Sequence, residues 1–302
     1  MWFQKAADQG DARAQTSLGR MYRDGQGVEK NDATAVKWYR KAAEQGHASA
    51  QTSLGFMYSN GQGVEKNDAT AAMWYQKAAE QGDAEAQYYL GWIYEFGQGV
   101  EKNDATAVKW YRKAAVQGDA DAQTNLGCMY RDGQGVEKND ATAVKWFQKA
   151  AEQGHAEAQF RVGRMFRKGY GETKNDKAAV KWYQKAADQG HAEAQYFLGW
   201  MYHNGQGVEK NDETAVKWFQ KAAEQGHAEA QYFLGWMYHN GQGVEKNDET
   251  AVKWYRKAAE QGDAEAQTNL GVMYESGQGV EKNDATAVKW YRRAAEQGHA
   301  RG

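Results

Sequence analysis

The glycine of a Gln-Gly doublet returns at Gly10, Gly46, Gly82, Gly118, Gly154, Gly190, Gly226, Gly262 and Gly298, always 36 residues apart. A fixed period of this length marks a repeat array, in which each unit buries its apolar face only against its neighbours. Residues 11–298 form eight full repeats: 11–46, 47–82, 83–118, 119–154, 155–190, 191–226, 227–262 and 263–298. Half a repeat (1–10, helix B only) precedes them, and the start of a truncated ninth (299–302) follows. Residues 191–218 and 227–254 are identical letter for letter, which points to recent duplication or to design. The chain is therefore read as one quasi-one-dimensional domain, not as a sum of globular ones.

Each repeat reads as two helices. In the first, DARAQTSLGRMYRDGQGVEKNDATAVKWYRKAAEQG, helix A runs from about Ala12 to Arg23, and Gly25 takes the left-handed position that ends it. Gly27 marks the turn, Asn31 or Asp32 caps helix B, and helix B runs to Gln45 before Gly46. The short connection makes an antiparallel hairpin. A fourth glycine (Gly19, Gly55, Gly91 and its equivalents) lies inside helix A, where it costs about 1 kcal/mol relative to alanine. Its regular return predicts close approach of a neighbouring helix.

Comparing the repeats with one another divides helix A in two on a wheel of roughly 100° per residue. Ala12, Ala14, Gln15, Leu18, Gly19, Met21 and Tyr22 barely change between repeats, whereas the positions of Arg13, Thr16, Ser17, Arg20, Arg23 and Asp24 vary. In helix B, Ala35, Val36, Trp38, Tyr39, Ala42 and Ala43 form an apolar face. The constant half of helix A and this face are the expected core. Nine tryptophans belong to it (Trp2, Trp38, Trp74, Trp110, Trp146, Trp182, Trp218, Trp254, Trp290), as large rings at the joints between repeats.

The pattern A-x-x-x-L-G-x-M-Y-x-x-G-x-G-V (Ala14 to Val28), then A-x-x-W-Y-x-x-A-A-x-x-G (Ala35 to Gly46), resembles the Sel-one-like repeat (SLR) family, relatives of the tetratricopeptide α-solenoids. The match covers all eight repeats and the leading half. The resemblance implies an all-α, right-handed solenoid of helix-pair repeats with helix A lining the concave side. It further implies a scaffold or adaptor that binds other proteins, and, for bacterial members, export to the periplasm or the outside. Repeat five departs from the pattern, with Val162 for leucine, Phe166 for tyrosine and GYGETKND at 169–176, so its joint is expected to be looser or re-aimed. No signal peptide is read at the start, where Met1 is followed at once by WFQKAADQG; the start is expected to be a cut through a longer protein or a designed array.

The variable stripe of helix A is the candidate site. It carries Tyr88, Tyr89, Trp92 and Phe96 in repeat three. In repeats six and seven it carries Tyr196, Phe197, Trp200 and His203, then Tyr232, Phe233, Trp236 and His239. Contiguous exposed aromatic surface marks interaction sites, and Trp and Tyr dominate binding hot spots. Packing of these rings on the neighbouring helix A is the other reading. Repeat five sets Phe160 and Tyr170 among Arg161, Arg164, Arg167 and Lys168, a basic clamp for a carboxylate or phosphate, or a solvated face; repeat one adds Arg13, Arg20 and Arg23.

Other function classes fare worse. Thirty-eight basic residues against forty acidic ones leave a net charge of −2, and Glu85, Glu95, Asp121, Glu157, Glu265 and Glu275 on the same stripe would repel a continuous phosphate chain. Nucleic acid and membrane are thus not expected partners. No serine begins an S-x-x-K, and Cys128 stands alone, whereas the β-lactam-binding relatives carry paired cysteines. His47, His155, His191, His227 and His299 alternate with aspartates in a manner suited to a helix cap, and His203 and His239 lie too far apart to share an ion. No enzyme, metal or cofactor is expected. The sequence supports a scaffold binding a protein or extended peptide along helix A, with a structural spacer or self-associating array, head to tail through uncapped ends, as the alternative.

Overall fold

The computed structural model describes the backbone of residues 2–299 and the side chains of residues 4–297; Met1, the Trp2 side chain and the start of the ninth repeat, the His299 side chain included, lie outside the described residues. Among the described residues there are seventeen helices and no strand: Trp2–Asp8, then eight pairs beginning with Ala12–Asp24 and Asp32–Glu44 and repeating every 36 residues. The fold is an all-α solenoid of helix-pair repeats. It comprises two compact units, Met1–Gln153, which holds the leading helix and repeats one to four, and Gly154–Gly302, which holds repeats five to eight.

Local chemistry sets the helix ends. Asn31 is the cap of helix B: its backbone is extended and its side chain accepts the Thr34 N–H at 2.8 Å, with Asp32 the first helical residue. Asp11 caps helix A through the Ala14 N–H at 2.7 Å, and His155, His191 and His227 do the same through Nδ1 at 3.2 Å. His47 is the exception, with Nδ1 3.2 Å from the Thr16 hydroxyl and no capping bond. The Asn31 N–H donates to the Tyr22 carbonyl at 2.8 Å and closes the hairpin. Gly19 against Tyr39 lies further from the loop on both sides, as antiparallel helices require.

Two glycines show how tightly the repeats engage. At Gly235, in helix A, a Cβ would stand 2.8 Å from the Tyr255 ring, so the expected close approach is that of the same repeat's helix B. At Gly243, in the turn (φ +68°), it would stand 2.3 Å from the Asp212 backbone of the preceding repeat. The turn glycine is thus both a left-handed position and a backbone-on-backbone joint.

The core follows the constant positions, with one correction. The fully enclosed ring of helix B is the residue after the tryptophan: Tyr39, Tyr111, Phe147, Tyr183, Phe219 and Tyr255 are 0–1% exposed. Trp74 and Trp218 are buried, but Trp38, Trp110, Trp146, Trp182, Trp254 and Trp290 are half-buried. Each packs one face inward and takes a cation on the other, as Lys113 does 3.9 Å from the Trp110 centroid. Trp38 packs against Ala7, Ala14 and Leu18, so the tryptophan does reach the preceding repeat.

A buried glutamine bridges neighbouring repeats. Gln231, 4% exposed, donates to the Ala223 carbonyl of the preceding helix B at 3.0 Å and accepts from Gln261 of its own helix B at 2.7 Å. Such side-chain bonds satisfy carbonyls that the helix end leaves open. Repeat five keeps the standard bounds, Ala156–Lys168 and Asp176–Asp188, with Val162 fully buried. The position of the missing valine is taken by Glu172, which is exposed.

Candidate functional site

In the first unit the aromatic stripe forms a cleft. Helix A of repeat three (Ala84–Phe96) presents Tyr88, Tyr89 and Trp92, which with Phe56 and Tyr75 of repeat two line a space of about 350 Å³. The rings are held by one another: Tyr89 stacks on Tyr75 at 5.0 Å, Tyr88 meets Tyr111 at 6.0 Å, and Trp92 meets Phe96 at 5.2 Å. Tyr88, Tyr89 and Trp92 stay half-exposed, and Phe96 is 57% exposed. Burial, reinforced by Asp121, pushes the Tyr88 hydroxyl up to about 12, so it is a neutral donor in any physiological buffer.

In the second unit the stripe becomes a run of packed rings. Phe197 lies 5.8 Å from Phe160 and stacks on Tyr183 at 5.7 Å; Phe233 stacks on Phe219 at 5.5 Å and meets Tyr196 at 6.0 Å. Tyr196, Phe197, Trp200, Tyr232, Phe233 and Trp236 each keep part of their surface open. Phe160 does not: at 5% exposure, packed against Tyr183, His191 and Phe197, it belongs to the core and not to the contact face. The neighbouring repeat supplies the rings that cover it.

The polar members are pinned. His203 Nδ1 lies 2.7 Å from Asp212, and its ring meets Trp236 edge-on at 5.7 Å; His239 repeats the contact with Asp248 at 2.7 Å. Arg161 pairs with Glu157 at 2.6 Å, and Glu157 also binds His191 at 2.7 Å. That hydrogen bond, with Arg161 beside it, holds the Glu157 carboxyl below its ordinary range. Arg167 lies over Phe197 at 4.7 Å and Trp200 at 5.7 Å, so the basic group of repeat five and the aromatic group of repeat six meet. Arg164, Lys168 and Tyr170 are exposed. Phe56 and Tyr75 join the cleft from outside the set that the sequence singles out, although Phe56 occupies the position of Trp92 one repeat earlier.

Among the described residues no three His, Cys, Asp or Glu side chains converge as metal ligands, and no helix is long and apolar enough to cross a membrane. In each unit, helix pairs stack and half-open rings line the variable side of helix A. The Sel1 repeat model matches residues 1–11 and then eight successive segments from 12–47 to 264–299. The chain belongs to the Sel1 repeat family, whose members are repeat scaffolds typical of protein–protein interaction.

Two solved bacterial structures place it further. It is 40% identical to c5321, a protective antigen of uropathogenic Escherichia coli with an SLR fold, at a TM-score of 0.91; the match covers 98% of this chain and 64% of that protein's length. It is 35% identical to a Sel1 repeat protein from Oxalobacter formigenes, TM-score 0.75, over 98% of this chain and 86% of that one. No curated protein matches the chain.

Proposed function

We propose that this chain is a non-catalytic adaptor that binds a protein or an extended peptide along the helix-A face. The observation that supports the reading is the set of half-open rings, Trp92, Trp200 and Trp236 among them, each packed on one side against the cores of neighbouring repeats and open on the other. A rigid ring that is held on one side and open on the other loses little entropy on binding, and exclusion of water around it gives affinity. The basic side chains of repeat five would fix the direction of the bound segment. Similarity to a protective antigen favours a place outside the cytoplasm, since an antigen that protects must be reachable; protease accessibility on intact cells checks that.

The test is a peptide-display selection on the parent and on a Trp92→Ala, Trp200→Ala, Trp236→Ala triple variant, with circular dichroism confirming that both are folded. Peptides that share a motif should enrich on the parent and be lost on the variant. If nothing enriches, or the same peptides enrich on both, the open rings are not a recognition surface and the chain is a spacer.

A further inference from the structure

The first unit holds a second space that the aromatic reading does not use. Helix A of repeats one and two lines a polar cavity of about 770 Å³ that shares two walls, Phe56 and Tyr89, with the aromatic cleft. Its size comes from sequence. Ser53 stands where repeats three, six and seven carry Tyr89, Phe197 and Phe233, so no ring fills the room above Tyr39, whose hydroxyl hydrogen-bonds Ser53.

Its charge is unlike that of the aromatic repeats three, six and seven. Arg13 opens helix A of repeat one at a position that repeat two fills with Ser49 and later repeats with acids, beginning with Glu85 and Asp121. Arg13, Arg20, Arg23 and Lys30 line the cavity against Asp24 and Glu85, four cations against two carboxylates. Arg23 is held by Asp24 at 2.8 Å. Arg13 and Arg20 are exposed and have no ion-pair partner among the described residues.

We infer that these joined spaces form a two-part peptide site, in which Arg13 and Arg20 take an acidic side chain and the Phe56–Tyr89–Trp92 cleft takes an aromatic or large apolar one. This rests on the adaptor reading above and names the kind of segment bound. Guanidinium groups that make no close ion pair, with Asp24 already held by Arg23, suit a bound carboxylate, with which they form paired charge-assisted bonds. Arg13 and Arg20 lie on helix A of repeat one and Trp92 on helix A of repeat three; with neighbouring helices about 8–10 Å apart and an extended chain advancing about 3.3 Å per residue, two steps set the acid and the apolar residue roughly five positions apart. A nucleic-acid strand suits the cavity less well, because Glu85 lines it and Glu95 and Asp121 follow on the same face.

The experiment selects a phage-displayed random dodecamer library on the full chain, then on Arg13→Glu/Arg20→Glu and on Trp92→Ala. All three altered side chains are at least partly open to solvent, and circular dichroism checks the fold. The expected motif has Asp or Glu about five residues from Trp, Phe, Tyr or Leu. Synthetic versions should weaken about tenfold or more on the charge-reversed protein, on Glu→Gln in the peptide and on Trp92→Ala. Amidated peptides should bind as well as free acids; a requirement for the free C-terminus would overturn the side-chain assignment. Enriched peptides without acids, lost on Trp92→Ala but kept on Arg13→Glu/Arg20→Glu, would overturn the two-part site and leave the adaptor reading standing. Oligothymidine binding tighter than any peptide, or no enrichment at all, would overturn it as well, the latter together with the adaptor reading.

Discussion

The joint between repeats should be breakable by a single methyl group. In Gly243→Ala the new Cβ meets Asp212 C and O, both at 2.3 Å, and the Glu213 nitrogen at 2.7 Å. All three are backbone atoms of the preceding repeat, so no rotamer change relieves the contact, and the two repeats must separate. A left-handed non-glycine residue alone costs about 1–2 kcal/mol, and alanine returns about 0.4–1 kcal/mol by restricting the unfolded chain. Overpacking against a fixed wall adds about 1–3 kcal/mol. The sum is a loss of about 1–5 kcal/mol, centred on about 3. Gly226→Ala is the internal control, because that glycine has φ +92° and a methyl there would meet nothing within 4 Å, so only the strain acts, for a net loss of about 1 kcal/mol or less. Urea denaturation followed by far-UV circular dichroism measures both. Gly243→Ala should lower the midpoint by more and broaden the transition, since an array held by nearest-neighbour terms decouples where one term is lost. Equal destabilisation by the two variants would show that the joint is not a close backbone contact and would refute the reasoning.

Three of the side chains on the stripe give sharper outcomes. Phe160→Ala removes a ring that is 5% exposed and should cost about 3–5 kcal/mol, whereas Phe96→Ala, from a ring 57% exposed, should cost under about 1 kcal/mol; thermal melts compare them directly. Glu157→Gln tests the contact to His191 and Arg161. Because the folded carboxyl is held below its ordinary value, its stabilisation is present above the unfolded range near pH 4.3 and is lost as pH falls through the folded value. The parent should therefore exceed Glu157→Gln by under about 1 kcal/mol at pH 7, for a pair this open to solvent, with the gap closing below about pH 4 in parallel urea titrations.

Much of the frame is legible in the sequence because it repeats. Helix bounds, the Asn31 cap, the internal glycine and the apolar faces all follow from period and local chemistry. The rest depends on contacts whose partners the period does not name. Trp38 and Tyr39 are neighbours on one apolar face of the wheel, and only packing shows that the tyrosine is enclosed while the tryptophan keeps an open side. Gln231 is recognisable as constant, yet its bonds run to Ala223 and Gln261, eight residues back and thirty ahead. The turn glycine reads in sequence as a turn alone, since its second role depends on the Asp212 backbone of another repeat. Phe160 occupies a variable position that stays part-open where it carries Tyr88, Tyr196 and Tyr232, and it is closed here by His191 and Phe197.

Phe160 exposes the rule that governs the stripe: whether a position is open depends on the size of the side chain one repeat away. Tyr89 on Tyr75, Phe197 on Tyr183 and Phe233 on Phe219 are the same ring pair in three repeats, at 5.0, 5.7 and 5.5 Å. Repeats two, four, five and eight carry Ser53, Asn125, Arg161 and Asn269 in place of that ring, and above Tyr39, beside the smallest of these, lies the polar cavity. Ser53→Phe should restore the pair. The new ring would stack on Tyr39, exchanging one hydrogen bond for an aromatic contact of about 0.5–1.5 kcal/mol beyond its buried area, so stability should hold or rise by about 1 kcal/mol. The same ring would fill the room beside Arg20, and acidic dodecamers should lose at least tenfold in affinity while the Trp92 cleft keeps its apolar preference. A fall in stability would mean the ring pair is not transferable between repeats. Unchanged affinity for acidic peptides would mean that the cavity above Tyr39 is not where the carboxylate sits.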